Sequence, residues 1–304
     1  MRIAVVSTIE TKTPPLIYGG VELLAYELWL AAKNMGHEAR LFGVGRRDIV
    51  SDYDQLTSDY DLIVDLSHRK YFQAFPHTIT IPFHPDPQGR FLNAYPTKVT
   101  MSLYKGPGKV VYPGISPVEK KFDIGEDYLL FVGRLTPYKD PLTAIRVARK
   151  LDMPLVIVAY KGKFADKAYV DMIEREVKDE KILYGLSREE IMSMYYNARA
   201  LLMPSDWSML HSVESLGIVA MEALIAGCPV VTSGEGPIEL ANFGEQKMGE
   251  LIGGYACKPK DIDCFVEGVK YSDKVDRRSL RVMAREFYNP ARWLSDLMEM
   301  IQHD

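Results

Sequence analysis

Apolar positions along this chain gather in short, uninterrupted runs rather than in alternating ones. Residues 3–7, 39–43, 62–66, 78–83 and 109–111 read as strands, and 128–132, 154–159, 181–184, 200–203 and 230–232 continue the series. Runs apolar on both faces belong to parallel sheets covered on both sides. Between them, residues 21–35, 140–151, 167–177, 188–198 and 217–226 carry the spacing of amphipathic or buried helices. Strand and helix alternating in this way predict a doubly wound α/β architecture. The stretch Tyr112-Pro-Gly-Ile-Ser-Pro117, rich in turn formers, divides the series in two. Two Rossmann-like domains facing across a cleft are therefore expected, 1–116 and 117–290, with a last helix at 291–304 joining the first.

Length and composition agree with this. A chain of 304 residues, 47% apolar and 26% charged with a net charge of −4, has room for two cores. That composition excludes disordered, collagen-like and disulfide-scaffold classes. The first part is near neutral and the second acid-rich, so neither carries the basic footprint of a nucleic-acid binder. No apolar run reaches the ~18 residues of a spanning helix, no strong basic amphipathic helix signals a membrane surface, and MRIAVVST reads as a strand rather than a leader. Cys228, Cys257 and Cys264 are too few for a disulfide or zinc framework and fit a reducing, cytoplasmic setting.

Three segments have candidate chemistry. Gly19-Gly20 follows the first strand and opens a helix, where the backbone can approach an anion and unpaired N–H groups face it; tight strand–helix packing explains the same pair equally well. Phe131-Val-Gly133-Arg134-Leu-Thr-Pro-Tyr-Lys139 puts a guanidinium and an ammonium in the loop after a strand, the edge where open α/β sheets bind ligands. A fork and a point charge suit the two phosphates of a diphosphate, against the alternative of solvated surface cations. The most specific segment runs from Glu214 through Leu216, Gly217, Ile218 and Val219 to Glu222. Glu214 stands before a helix start whose N–H groups can hold phosphate, and Glu222 lies about two turns on. The alternatives are a helix-start acid for Glu214 and a buried ion-pair partner for Glu222.

In order, PPLIYGGVE, GHEARLF, VVYPGIS, FVGRLTPYKD, ILYGLSREEIMSMYYNARALLMPS and ESLGIVAMEALIAGCPVV resemble the GT-B glycosyltransferases of retaining family 4, the group 1 glycosyltransferases. The resemblance covers essentially the whole chain. It implies a hexosyl-type transfer from a nucleotide-diphosphate sugar to an acceptor hydroxyl, with retention of configuration and front-face attack favoured over double displacement. The acceptor class (small molecule, glycan or lipid-linked) is left open. No cofactor and no metal is implied. Arg134 and Lys139 correspond to the pair gripping the diphosphate, Glu222 to the ribose acceptor and Glu214 to the acid at the transferred sugar. Leu216 to Val219 and Gly133 line sugar and phosphate, Gly20 with Gly19 faces the diphosphate from the other domain, and backbone near Tyr184 meets the base. His84, after an apolar strand, matches the family's strand-end histidine beside the sugar.

His68, after another apolar strand, reads as structural packing ahead of a role in the acceptor cleft, and the Ser187/Glu190 pair reads as a capping box. Asp52-Tyr-Asp54, Asp59-Tyr-Asp61 and Asp261-Ile-Asp263 read as loop acids rather than a metal-binding motif. The chain departs from the family in its short first domain, in Tyr160-Lys161-Gly162 where relatives carry Gly-x-Gly, and in the inserted stretch 206–213 with Trp207 and His211. Competing readings are a non-catalytic nucleotide-sugar-binding subunit and another GT-B enzyme, such as a sugar-nucleotide epimerase or a phosphorylase-like transferase.

Overall fold

A computed structural model describes residues 1–16, 19–67, 75–83, 92–118, 127–160, 166–206, 214 and 216–302. They divide into two units, Met1–Ser116 with Phe287–Asp304, and Pro117–Glu286.

In the first unit the chain runs through β1 (Arg2–Val6), β2 (Lys12–Thr13), α1 (Gly20–Asn34), β3 (Glu38–Phe42), β4 (Val44–Gly45), β5 (Leu62–Asp65), β6 (Thr78–Thr80), β7 (Leu92–Tyr95), α2 (Lys98–Tyr104) and β8 (Gly108–Val110). The main sheet has the order β3-β1-β5-β6-β7-β8, and every pairing is parallel. Its central strands β1 and β5 are largely apolar and buried on both faces, and Ala4, Val6, Phe42, Tyr60 and Ile63 belong to one buried cluster on it. The sequence pattern misses β7, whose run Leu-Asn-Ala-Tyr breaks the apolar signal. Asn93 is nevertheless buried, since its side-chain amide donates to the carbonyl of Pro107 at 3.1 Å.

The second unit contains β9 (Leu129–Arg134), α3 (Pro141–Leu151), β10 (Leu155–Tyr160), α4 (Lys167–Glu176), β11 (Lys181–Tyr184), α5 (Arg188–Asn197), β12 (Ala200–Met203), α6 (Ile218–Ala226), β13 (Val230–Thr232), α7 (Glu235–Ala241), β14 (Gly249–Leu251), β15 (Gly254–Ala256), α8 (Ile262–Ser272) and α9 (Arg277–Phe287). Its sheet order is β11-β10-β9-β12-β13-β15-β14, parallel except for the last pair. The order reverses direction between β9 and β12, which makes the carboxyl ends of those two strands the topological switch point where such sheets take ligands. The sequence misses α7 because Gly236 and Pro237 read as a turn. In fact Pro237 stands in the first helical turn, where its missing N–H costs nothing.

After α9 the chain returns to the first unit, and α10 (Pro290–Gln302) lays Trp293, Leu294 and Leu297 against α1. The return starts at Phe287, slightly earlier than the expected 291. Gly114 makes this possible: a β-carbon there would stand 2.5 Å from the carbonyl of Asn289, so only a glycine lets the two strands of chain cross. Nearby, the buried carboxylate of Glu27 on α1 accepts from both the backbone N–H (3.0 Å) and the hydroxyl (2.5 Å) of Ser116. Glu27→Ala removes both bonds, and is expected to cost about 2 kcal/mol of stability in a urea titration.

One expectation needs correction. Cys257 and Cys264 are joined as a disulfide, with Cα atoms 5.7 Å apart. A count of cysteines cannot see this, because the pairing comes from a short connection that brings the end of β15 beside the first turn of α8. It removes the argument for a reducing compartment. Among the described residues, no helix is long and apolar enough to cross a membrane.

Candidate functional site

The site grows from the end of β9. Five of its six residues are buried, and Arg134 is the first to emerge. The loop beyond is a fixed turn: the N–H groups of Lys139 and Asp140 both donate to the carbonyl of Thr136, at 3.1 and 3.2 Å. Asp140 then caps α3, accepting from the N–H of Thr143 at 3.2 Å and its hydroxyl at 2.6 Å. The carbonyl of Tyr138 accepts from the N–H of Asp206 at 2.7 Å, which ties this loop to the one after β12.

Across that junction stands Glu214. Its Oε2 pairs with the ammonium of Lys139 and also accepts from the Tyr138 hydroxyl at 3.1 Å and from the Ser205 hydroxyl at 3.3 Å. Both charged side chains are largely buried, 14% exposed for Lys139 and 10% for Glu214. Burial alone would lower the Lys139 pKa, but the charge of Glu214 and the neighbouring phenol outweigh it and raise it above the ordinary value. The phenol of Tyr138 is itself raised, first by burial and then by the Glu214 charge, with Lys139 and Arg134 opposing. Arg134 thus lies in the same electrostatic neighbourhood. Its Nε is buried and, like the buried hydroxyl of Thr136, has no hydrogen-bond partner among the described residues.

The start of α6 adds donors. Gly217 caps it at φ +81°, and a β-carbon there would stand 2.7 Å from Pro237, so both conformation and space require glycine. With no side chain capping the helix, the N–H groups of Ile218 and Val219 have no intrahelical partner. Leu216 is buried just before them. Gly234 seats Glu214, since a β-carbon on it would meet the Glu214 side chain at 3.1 Å.

The remaining expected residues are dispersed. Glu222 is buried and accepts from Arg188 at 2.9 Å, the ion-pair reading of that residue. Gly133 has only ordinary contacts at its α-carbon, with the Phe131 ring 3.6 Å from a β-carbon. The hydroxyl of Tyr184 donates to Glu174 at 2.6 Å, so its side chain is engaged with α4 and only its backbone is left for a ligand. Gly19 and Gly20 open α1 in the first unit. The Glu22 carboxylate, held by the Thr8 hydroxyl, folds back over Gly19 and would stand 2.7 Å from a β-carbon there. His84 and His68 lie outside the described residues, as do Trp207, His211, Lys161 and Gly162.

The family described as "Glycosyl transferases group 1" matches residues 116–281, more than half of the chain. The chain belongs to this family. Curated relatives of this group 1 glycosyltransferase include D-inositol 3-phosphate glycosyltransferase of Mycobacterium sp. (strain KMS), 26% identical over 79% of this chain and 51% of that one. An uncharacterized glycosyltransferase of Methanocaldococcus jannaschii is 30% identical over 53% of this chain and 43% of its own. The chain spans about half the length of the curated relatives it matches. Among solved structures, AviGT4, a glycosyltransferase involved in avilamycin A biosynthesis, aligns with a TM-score of 0.75 at 20% identity, covering 100% of this chain and 97% of that one. Anabaena HepE in complex with UDP-glucose aligns with a TM-score of 0.70 at 14% identity over the whole of both chains. These likenesses give this group 1 member the GT-B fold.

Several parts of the arrangement are silent in the family motifs. Tyr138, Ser205 and Arg188 were not singled out from sequence, although Tyr138 adjoins Lys139 and Ser205 follows a strand end. Asp206, fully buried, is held by Lys260 at 2.7 Å from the loop after β15. The Ser187/Glu190 capping box is present. The Asp-x-Asp pairs have protein partners: Asp52 and Asp261 cap helices, Asp61 accepts from the Arg2 N–H, and Asp263 pairs with Lys150.

Proposed function

We propose that the protein is a retaining, metal-independent glycosyltransferase that moves a sugar from a nucleotide-diphosphate sugar to an acceptor hydroxyl. The observation that carries this reading is Arg134. Its side chain emerges from β9 at the switch point with a buried, unsatisfied Nε, in the same electrostatic neighbourhood as Lys139. A buried N–H without a partner is costly, and a diphosphate would satisfy it together with the orphan hydroxyl of Thr136.

As the anomeric C–O bond breaks, negative charge grows on the departing diphosphate and positive character on the ring. Arg134, Lys139 and the N–H groups of Ile218 and Val219 are fixed before the reaction and stabilise the first charge at no cost in reorganisation. Lys139 serves two anions, Glu214 and the leaving group, so its ammonium bridges phosphate and sugar. Glu214 reaches the transferred sugar through Oε1, which among the described residues accepts no hydrogen bond. Glu222, paired with Arg188, is the acceptor for the ribose hydroxyls. The family resemblance assigns the acceptor to the first unit and gives Gly19, Gly20 and His84 their donor-side roles. Front-face attack on the bound donor accounts for retention, since Glu214 is held as a hydrogen-bond partner rather than freed as a nucleophile.

The test is thermal. UDP, GDP, ADP and dTDP, each with and without Mg²⁺, are added to the folded protein. At 100 times its dissociation constant a bound nucleotide adds about 2.7 kcal/mol. A shift with one nucleotide that does not need Mg²⁺ is expected; UDP-glucose, the ligand in the HepE structure, is then the first donor to try, with inositol phosphates as acceptors because of the relatives' names. No shift with any of the four would remove the donor-site reading.

A further inference from the structure

We propose that Tyr138 is a positioning residue that holds the Glu214 carboxylate in register when Lys139 turns to the diphosphate. The inference rests on the donor-site reading above. The three hydrogen bonds that the Glu214 carboxylate accepts from described residues converge on one oxygen: Lys139, Tyr138 and Ser205 each donate to Oε2. Loading one oxygen restrains the carboxylate and leaves Oε1, which accepts from no described residue, as the acceptor for a ligand hydroxyl.

Of the three donors, Lys139 is the one a diphosphate also attracts, so its hold on Glu214 weakens when donor binds. The two neutral donors keep theirs. Tyr138 is the better placed of them, because its backbone is clamped on both sides: Asp206 donates to its carbonyl, and the turn at Thr136 fixes the next residue. Its ring also lies 5.1 Å from the Lys139 ammonium, an attraction to the ring face that keeps cation and phenol on the same side of the loop. Burial and the nearby carboxylate keep the phenol protonated, and hence a donor, across the working pH range.

The consequence is a division of labour inside one dipeptide. Lys139 answers to the phosphates and Tyr138 to the sugar-side acid. Removing the hydroxyl should therefore affect transfer more than nucleotide binding, and should do so only through Glu214.

The experiment compares wild type, Tyr138→Phe, Glu214→Gln and the double variant, using UDP or whichever of GDP, ADP and dTDP the wild type binds, with the matching nucleotide sugar. For Tyr138→Phe we expect kcat for donor turnover to fall about tenfold, equivalent to about 1.4 kcal/mol, while the nucleoside diphosphate dissociation constant stays within about twofold. On the Glu214→Gln background the second change should have no further effect, as coupled residues behave. Turnover within twofold of wild type, independent losses that multiply in the double variant, or an equal loss of nucleoside diphosphate binding would each overturn the assignment. A wild type that binds and turns over donor, beside an unimpaired Tyr138→Phe, removes Tyr138 alone. A wild type that binds no nucleoside diphosphate removes the donor site and this inference with it.

Discussion

Arg134→Ala is expected to lower nucleotide-sugar turnover by about a thousandfold, at the upper end of what losing one preorganised donor to a developing anion costs. The guanidinium is the group with most to lose, because it has no protein partner among the described residues that would share its charge. For the same reason the substitution should not harm the fold. It removes a buried, unsatisfied Nε rather than a bond, so the melting temperature without ligand should stay the same or rise. Arg134→Lys restores the charge without the planar fork, and should recover only part of the rate. Steady-state turnover and thermal melting on the three proteins decide the point. An Arg134→Ala protein that turns over like wild type would remove the diphosphate assignment, and one that melts far lower would make Arg134 a structural residue.

The sequence shows the scaffold of the site more readily than its interior. β11, β12 and β13 are legible to the residue, because each is a short apolar or β-branched run between helical patterns, and β12 and β13 are buried along their whole length. The strand-end position of the Arg134 and Lys139 loop is legible because it follows a continuous apolar run, and the structure puts that end at the switch point between β9 and β12. Glu222 shows the limit. Its spacing from Glu214 is visible, but its partner Arg188 comes from a different helix, so only the folded chain reveals the ion pair. Tyr138 shows it again: side chains in loops have no period, and its bond to Glu214 spans seventy-six residues. Cys257 and Cys264 were close enough in sequence to suggest a bond, yet counting alone set them aside. In each case what was missed is a contact between elements, which local pattern does not encode.

Lys139→Met is expected to cost both activity and stability, and the stability loss can be reversed without the activity. The substitution keeps the length of the side chain but leaves Glu214 largely buried without its counter-ion. Breaking a buried pair from one side costs about 3 kcal/mol, on the order of 8 °C in melting temperature for a unit of this size. Tyr138 and Ser205 remain as donors, which keeps the loss toward the lower end. Lys139→Met/Glu214→Gln removes the stranded charge as well and should recover most of the stability, while turnover stays down by about a thousandfold because neither phosphate cation nor sugar acid returns. The pH dependence supplies an independent check. The Lys139 pKa is raised in the folded protein, so its contribution to stability is fully present below the unfolded value of about 10 and is lost as pH rises through the folded one. Wild-type melting should therefore be insensitive to this pair from neutral pH up to about pH 10, and the alkaline decline due to Lys139 should vanish in Lys139→Met. A single variant as stable as wild type at neutral pH would show that solvent, not Lys139, neutralises Glu214. A double variant no more stable than the single one would place the loss in packing instead of charge.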